Sequence, residues 1–230
     1  MPSALITGAS RGLGRALATA LAERRWTLVI DARHAPDLDR VAGDLAGQTT
    51  VVVRPGDVTD PAHRRVLAEA AAAYGPLDLI VNNASALGPS PLPPLLEAPA
   101  DAFREVLETN VVAPLALLQA VSPYMAREAV VVDITSDAAV ESYPGWGLYG
   151  ASKAALDRLT ATLGAEHPAW SVYAFDPGDM RTQMHQDAFP GEDISDRPDP
   201  ESVVPAFLTL LEARPPSGRV TADELAVGSP

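Results

Sequence analysis

Apolar positions along this chain fall into two alternating kinds of run. Short stretches, ALIT (4–7), TLVID (27–31), TVVVR (50–54), LDLIVNN (77–83), AVVVDIT (129–135) and WSVYAF (170–175), are apolar at nearly every position and rich in β-branched residues. GRVT (218–221) is a candidate seventh. Between them lie longer Ala/Leu-rich segments of helical character, near 12–24, 36–46, 60–74, 100–126, 148–166 and 200–213. Strands apolar at consecutive positions are buried on both faces, as in a parallel sheet covered by helices. The βαβ alternation therefore predicts an α/β fold: one doubly wound domain over 1–230, about seven parallel strands, helices on both faces. No repeat or linker interrupts it. The proline-rich stretches ALGPSPLPPLLEAPAD (86–101) and PGEDISDRPDP (190–200) read as stiff loops.

Composition narrows the function more than the fold. The net charge of -13 argues against nucleic acid or an anionic membrane as partner, because both need a basic surface. There is no cysteine, which excludes disulfides, thiolate metal sites and cysteine nucleophiles. The four histidines (34, 63, 167 and 185) stand far apart, so no metal site is expected. Nothing resembles a signal peptide, and no apolar run is expected to reach the roughly 18 residues of a membrane span. The expectation is a soluble cytoplasmic protein.

The first candidate chemistry is ALITGASRGLG (4–14), a strand running into a glycine-rich turn and a helix. Gly8, Gly12 and Gly14 let the backbone turn tightly and approach a pyrophosphate. The helix behind them offers free N–H groups and its positive dipole end. The spacing is G-x-x-x-G-x-G rather than G-x-G-x-x-G, and a glycine turn can be a plain βα corner. Its place after the first strand favours dinucleotide binding, with Ser10, Arg11 and Leu13 as further turn residues.

The second is LYGASKAAL (148–156), which sets Tyr149 and Lys153 four residues apart. Any helix can carry such a pair on one face. Together, however, T-G-x-x-x-G-x-G and Y-x-x-x-K in this order resemble the short-chain dehydrogenase/reductase family. NNAS (82–85) is similar to the family's N-N-A-G, with Ser85 in place of glycine. Asp57 in GDVTD resembles the acid that contacts adenine, with Val58 beside it. Asn110 in LETNVVAP resembles the asparagine of the long fourth helix. Ser136 in DITSDAA lies 13 residues before Tyr149, the family's interval. DPGDMRT (176–182) resembles P-G-x-x-x-T. The resemblance spans about residues 3–182.

The resemblance implies a Rossmann-type domain that reduces a ketone or aldehyde to an alcohol, reversibly, with a nicotinamide cofactor. Its implied catalytic residues are Asn110, Ser136, Tyr149 and Lys153. Its implied cofactor contacts add Asn83, Ala84, Pro177, Gly178 and Thr182 to the turn, Asp57 and Val58. Tyr149 is then the general acid/base, Lys153 also holds the cofactor ribose, and Ser136 polarises the substrate oxygen. Lowering a tyrosine pKa from about 10 to about 7 takes roughly 4 kcal/mol. One ammonium about 4 Å away at an effective dielectric of about 20 supplies that much, so Lys153 is expected to do most of it. Pro114 lacks the N–H that would bond the carbonyl of Asn110. The side chain and carbonyl of Asn110 are therefore expected to be free within the helix, with the carbonyl holding a water that passes protons to Lys153.

Strand two ends VIDARH (29–34). Asp31 reads as the acid that bonds the ribose of NAD. Alignment on family members ending VVLTAR instead places Asp31 one residue early and Arg33 on the phosphate-binding arginine of NADP users, with Arg11 as the second cation. NADP(H) is favoured over NAD(H). Candidate pocket residues are Leu87, Asp137, Trp146, Met180 and Met184, suited to an apolar carbonyl compound. Past residue 182 the match fades: the lid (183–202) is short, and GRVTADELAVGSP lacks the family's D-G-G finish. The fourth and fifth helices of the family commonly build a homodimer or homotetramer, and the same is expected here. The readings from other classes are an NADP-binding sensor without turnover and an NAD-linked alcohol dehydrogenase.

Overall fold

In the computed structural model, which describes residues 1–227, seven strands form one sheet in the order β3-β2-β1-β4-β5-β6-β7, with every pair parallel. They are β1 Ser3–Ile6, β2 Thr27–Ala32, β3 Val51–Pro55, β4 Leu77–Asn82, β5 Met125–Ile134, β6 Ser171–Asp176 and β7 Gly218–Thr221. Residues 228–230, the end of GRVTADELAVGSP, lie outside the described residues.

Alternate strand residues face opposite layers, as the period of two requires. Ile6, Ile30, Val81, Val132 and Phe175 pack under α1 (Gly12–Glu23), α2 (Ala35–Asp44) and α8 (Val204–Ala213). Leu5, Val29, Ile80, Val131 and Val172 pack under α3 (Pro61–Ala73) and α5 (Ala113–Val121), with Leu163 of α6 (Gly147–Glu166) against the same layer. Both faces are thus buried, and the strands are apolar throughout for that reason. The strand order reverses between β2 and β4, on either side of β1. In such sheets a crevice opens there at the carboxyl ends, where ligands bind.

Two expectations about elements change. The helix expected over 100–126 is α4 (Ala100–Leu107), a π turn (Glu108–Val112) and α5, followed by a 3-10 turn (Ser122–Tyr124). The N–H of Ala113 bonds the carbonyl of Glu108, a wide turn that makes room for the proline at 114. Strand β5 starts at Met125, four residues before AVVVDIT, because Met125 pairs with Leu77 across a register shift. Ala100–Tyr124 is long and apolar enough to cross a membrane by length and composition, which corrects the expectation that no apolar run reaches that length. Val106, Ala113, Leu117, Leu118 and Val121 of that stretch are buried inside the domain. The lid region holds a short helix, α7 (Gln183–Ala188), and α9 (Ala222–Val227) follows β7.

Candidate active site

A cavity of about 1060 Å³ runs along the carboxyl ends of the strands. It is lined by the catalytic and cofactor residues singled out in the sequence, with two exceptions. Gly8, Ser10, Arg11, Gly12, Leu13, Arg33, Asp57, Val58, Asn83, Ala84, Ser136, Tyr149, Lys153, Pro177, Gly178 and Thr182 all border it. Gly14 and Asn110 do not; they hold its walls from behind.

At one end is the glycine turn. Gly8 and Gly12 have φ of 65° and 53°, a region that favours glycine. A Cβ on Gly14 would lie 2.5 Å from both Gly8 O and Asn83 Nδ2, so this glycine permits close approach of helix to turn. Asn83 Nδ2 donates to the carbonyls of Thr7 (2.8 Å) and Gly8 (3.1 Å). Thr7 Oγ1 accepts from the N–H groups of Asn83 and Ala84, both at 3.0 Å. The NNA segment therefore fastens the turn as well as bordering the cavity. Helix α1 has no side-chain cap and no acid in its first turn, which leaves its N-terminal N–H groups and dipole for an anion. A pyrophosphate fits this cradle.

Asp31 is buried at the rim of the turn. Its Oδ1 accepts from Gly8 N–H (3.1 Å) and its Oδ2 bonds His63 Nε2 (3.0 Å). Burial raises its pKa, and His63 and the Gly8 N–H pull it back down. A Cβ on Gly56 would strike the His63 ring at 2.2 Å, so Gly56 makes room for that partner. Asp31 is thus an internal brace of the glycine turn, while Arg11 and Arg33 stay exposed at the mouth. Asp57 accepts from the N–H and hydroxyl of Thr59 (2.9 and 2.8 Å). Those bonds and the charges of Arg33 and His63 hold its carboxyl below the usual range against the cost of burial.

At the other end, α6 presents Tyr149 and Lys153 to Ser136 at the end of β5. Lys153 is the only lysine in the chain. The other Lys/Arg positions are all arginine, so this position alone carries a compact ammonium instead of a planar fork. Its Nζ donates to Ile134 O at 2.7 Å and lies 5.5 Å from the Tyr149 ring centroid. Burial pushes its pKa from 10.5 down to about 8, against the charges of Asp133 and Asp157. Burial pushes Tyr149 upward, with the charges of Asp176 and Asp137 adding to it; the Ser85 and Ser136 hydroxyls pull the other way. Desolvation of the phenol is the largest influence on Tyr149 here, and it opposes the lowering expected from Lys153. Ser85, which stands where the family has glycine, is a hydroxyl beside the phenol that sequence reasoning noted only as a departure.

Asn110 also departs from expectation. It is fully buried in the π turn, and its side chain is fully engaged. Oδ1 accepts from Ala86 N–H (2.7 Å) and the Ser85 hydroxyl (3.2 Å); Nδ2 donates to Ala86 O and Ser152 Oγ, both at 2.9 Å. Ser152 Oγ donates in turn to Tyr149 O at 2.6 Å. Asn110 therefore ties the loop after β4 to α6 rather than leaving a free side chain.

Beyond Ser136 the walls are Trp146, Met184 and Phe189, with Asp137, Tyr143 and Asp179 at the rim. Trp146 meets the Tyr149 ring edge-on at 5.7 Å. Ser136 Oγ donates to Asp137 Oδ1 (2.9 Å), and the Tyr143 hydroxyl donates to Oδ2 (2.9 Å). Of the pocket residues read from sequence, Asp137, Trp146, Met180 and Met184 border the cavity. Leu87 is packed behind it against Ala138, Tyr149 and Ala188.

A doubly wound sheet with a glycine turn at its switch point and a Ser–Tyr–Lys cluster at the far end defines a nucleotide-dependent oxidoreductase. Comparison with known proteins agrees: the sequence profile of the short chain dehydrogenase family matches residues 2–193, and the chain belongs to that family. It is 31% identical to L-xylulose reductase of Mesocricetus auratus, over 97% of this chain and 93% of that protein. A short-chain dehydrogenase structure from Pseudomonas syringae superposes with a TM-score of 0.90 at 30% identity, covering 96% of this chain and 94% of that one. Another, from Shigella flexneri 2a and complexed with NADP, gives 0.89 at 27% identity over 96% and 97%.

Proposed function

We propose that the protein is an NADPH-dependent reductase of a ketone or aldehyde, running reversibly to the alcohol. The observation that carries this reading is one cavity with a pyrophosphate cradle at one end and the Ser136, Tyr149 and Lys153 side chains at the other. The dihydronicotinamide, when bound, supplies the hydride that reaches the carbonyl carbon. The Ser136 hydroxyl, which donates to Asp137 Oδ1 without substrate, turns its one proton to the carbonyl oxygen and orients it. Tyr149 delivers its phenolic proton to that oxygen as negative charge develops there. Lys153 would hold the ribose of the bound cofactor and places a positive charge beside the resulting phenolate. In the oxidative direction the proton returns to Tyr149.

NADPH over NADH is supported by the engagement of Asp31. Both its oxygens already have protein partners, and Arg33, two residues on, stands at the exposed mouth near Arg11 for a 2′-phosphate. The substrate end combines the apolar walls of Trp146, Met184 and Phe189 with the acidic rim of Asp137 and Asp179. An uncharged or cationic carbonyl compound suits it better than a carboxylate. The L-xylulose reductase relative is named for a small uncharged ketone.

Calorimetric titration with NADPH and NADH tests the cofactor reading. NADPH is expected to bind at least tenfold tighter, about 1.4 kcal/mol; a preference for NADH sinks it. Tyr149→Phe tests the chemistry, with turnover against a carbonyl panel lost and NADPH affinity kept. A cofactor sensor would instead be indifferent to that change.

A further inference from the structure

We infer that Arg219 is a positioning residue for this reaction, a guanidinium on the last strand that locks together the three segments carrying the reacting groups. The inference rests on the function proposed above. Arg219 NH2 donates to the backbone carbonyl of Ser136 at 3.0 Å and to Asp176 Oδ2 at 2.6 Å. Its NH1 donates to Asp157 Oδ2 at 2.7 Å, with Thr135 Oγ1 at 3.5 Å.

Each partner belongs to a different part of the site. Ser136 lies two residues past the end of β5 and supplies the hydroxyl that orients the carbonyl. Asp176 ends β6, and its other oxygen accepts from Gly178 N–H at 3.0 Å, so it shapes the P-G turn at the cofactor end of that loop. Asp157 lies on α6 four residues past Lys153 and eight past Tyr149, on the same helix face. One planar fork therefore fixes the Ser136 segment, the P-G turn and the Tyr149/Lys153 helix relative to one another. Only a guanidinium offers donors in that many directions from a rigid plane. Strand β7 is an edge strand of four residues paired only with β6. Arg219 gives that short strand a role at the site that its length and position alone would not.

The same side chain sets the local charge. Asp176 and Asp137 face Tyr149 from β6 and from the turn after β5, and Asp133 and Asp157 face Lys153 from β5 and α6. Arg219 compensates two of these four carboxylates. Its loss leaves Asp176 to push the Tyr149 pKa up and Asp157 to push that of Lys153 up.

The test compares Arg219→Met, which removes the charge, with Arg219→Lys, which keeps the charge but not the fork. Wild type and both variants are assayed for thermal midpoint, NADPH affinity and kcat against pH, and the Lys153 titration is followed by NMR with 13C-lysine in wild type and Arg219→Met. Arg219→Met is expected to lose roughly ten- to hundredfold in kcat, with NADPH affinity within a few fold because the pyrophosphate cradle is untouched. The alkaline limb of its reduction profile and the Lys153 midpoint should both move up by about one pH unit. Arg219→Lys is expected to fold, keep the wild-type pH profile and still lose kcat. A fall in thermal midpoint alone in Arg219→Met, or wild-type kcat in Arg219→Lys should Arg219→Met not fold, makes the residue a structural strap and overturns the inference. Absence of NADPH binding and turnover in the wild type instead refutes the proposed function. The Lys153 titration still reads the clamp in that case, and an unchanged midpoint in Arg219→Met refutes it.

Discussion

Labelling lysine with 13C at Cε places a single reporter in this protein, at Lys153, because the sequence has no other lysine. Its titration tests the electrostatics of the site directly. Lys153 is 2% exposed, donates to one backbone carbonyl, and faces Asp133 and Asp157. Burial lowers its pKa from 10.5 to about 8 in spite of both carboxylates. At about 1.4 kcal/mol per pH unit, that corresponds to roughly 3 kcal/mol of folding free energy withheld at neutral pH. Between pH 8 and 10.5 the unfolded chain binds the proton that the folded chain has already released. Wild-type stability therefore rises with pH across that window on account of this group. Lys153→Met lacks the titration, so its urea-unfolding free energy should exceed or match that of wild type at pH 7. Wild type should then gain on it by roughly 3 kcal/mol as pH approaches 10.5. An NMR midpoint at or above 10, or a stability difference that does not change with pH, refutes the assignment of desolvation as the dominant effect. The trade is a familiar one in physical terms: a buried cation kept for function costs stability.

Other features of the site make sharp expectations. His63→Phe removes a hydrogen-bond partner of buried Asp31 and should cost about 1–3 kcal/mol, read by urea unfolding, together with a loss of NADPH affinity because Asp31 braces Gly8. Gly14→Ala puts a Cβ 2.5 Å from backbone and side-chain atoms of the turn; a loss of about 1–3 kcal/mol and weaker nucleotide binding by calorimetry are expected. Asn110→Ala strips Ala86 N–H, Ser85 and Ser152 of their buried partner. It should cost about 1–3 kcal/mol and lower kcat by loosening α6, and wild-type values of both would refute its role as a brace. Asp137→Asn removes the carboxylate at the substrate rim and should raise kcat/KM for anionic carbonyl substrates relative to neutral ones, measured in a paired panel.

Much of this protein was legible from local pattern. Strands buried on both faces must be apolar at consecutive positions, so VVV, LDLIV and AVVV announced a parallel sheet before any contact was known. The glycine turn and the Tyr149/Lys153 pair stand out in the sequence because the chemistry proposed for them needs particular residue types at short spacing. What the sequence could not supply is the outcome of competition between distant groups. Asp31 reads as a ribose acid by spacing, and only the fold brings His63 from α3 beneath it. Asn110 reads as a free amide beside Pro114, and only the π turn aims it at Ala86 and Ser152. The Tyr149 pKa looked like a two-body problem with Lys153 until desolvation, two serines and two aspartates entered. Arg219 carried no local signal, since an arginine on a short edge strand is ordinary. Its four partners lie 43 to 84 residues away in the chain. Local periodicity determined the scaffold because burial acts on each residue in turn. The tertiary structure decided the electrostatics, because charge and desolvation sum over everything within reach, whatever its place in the sequence.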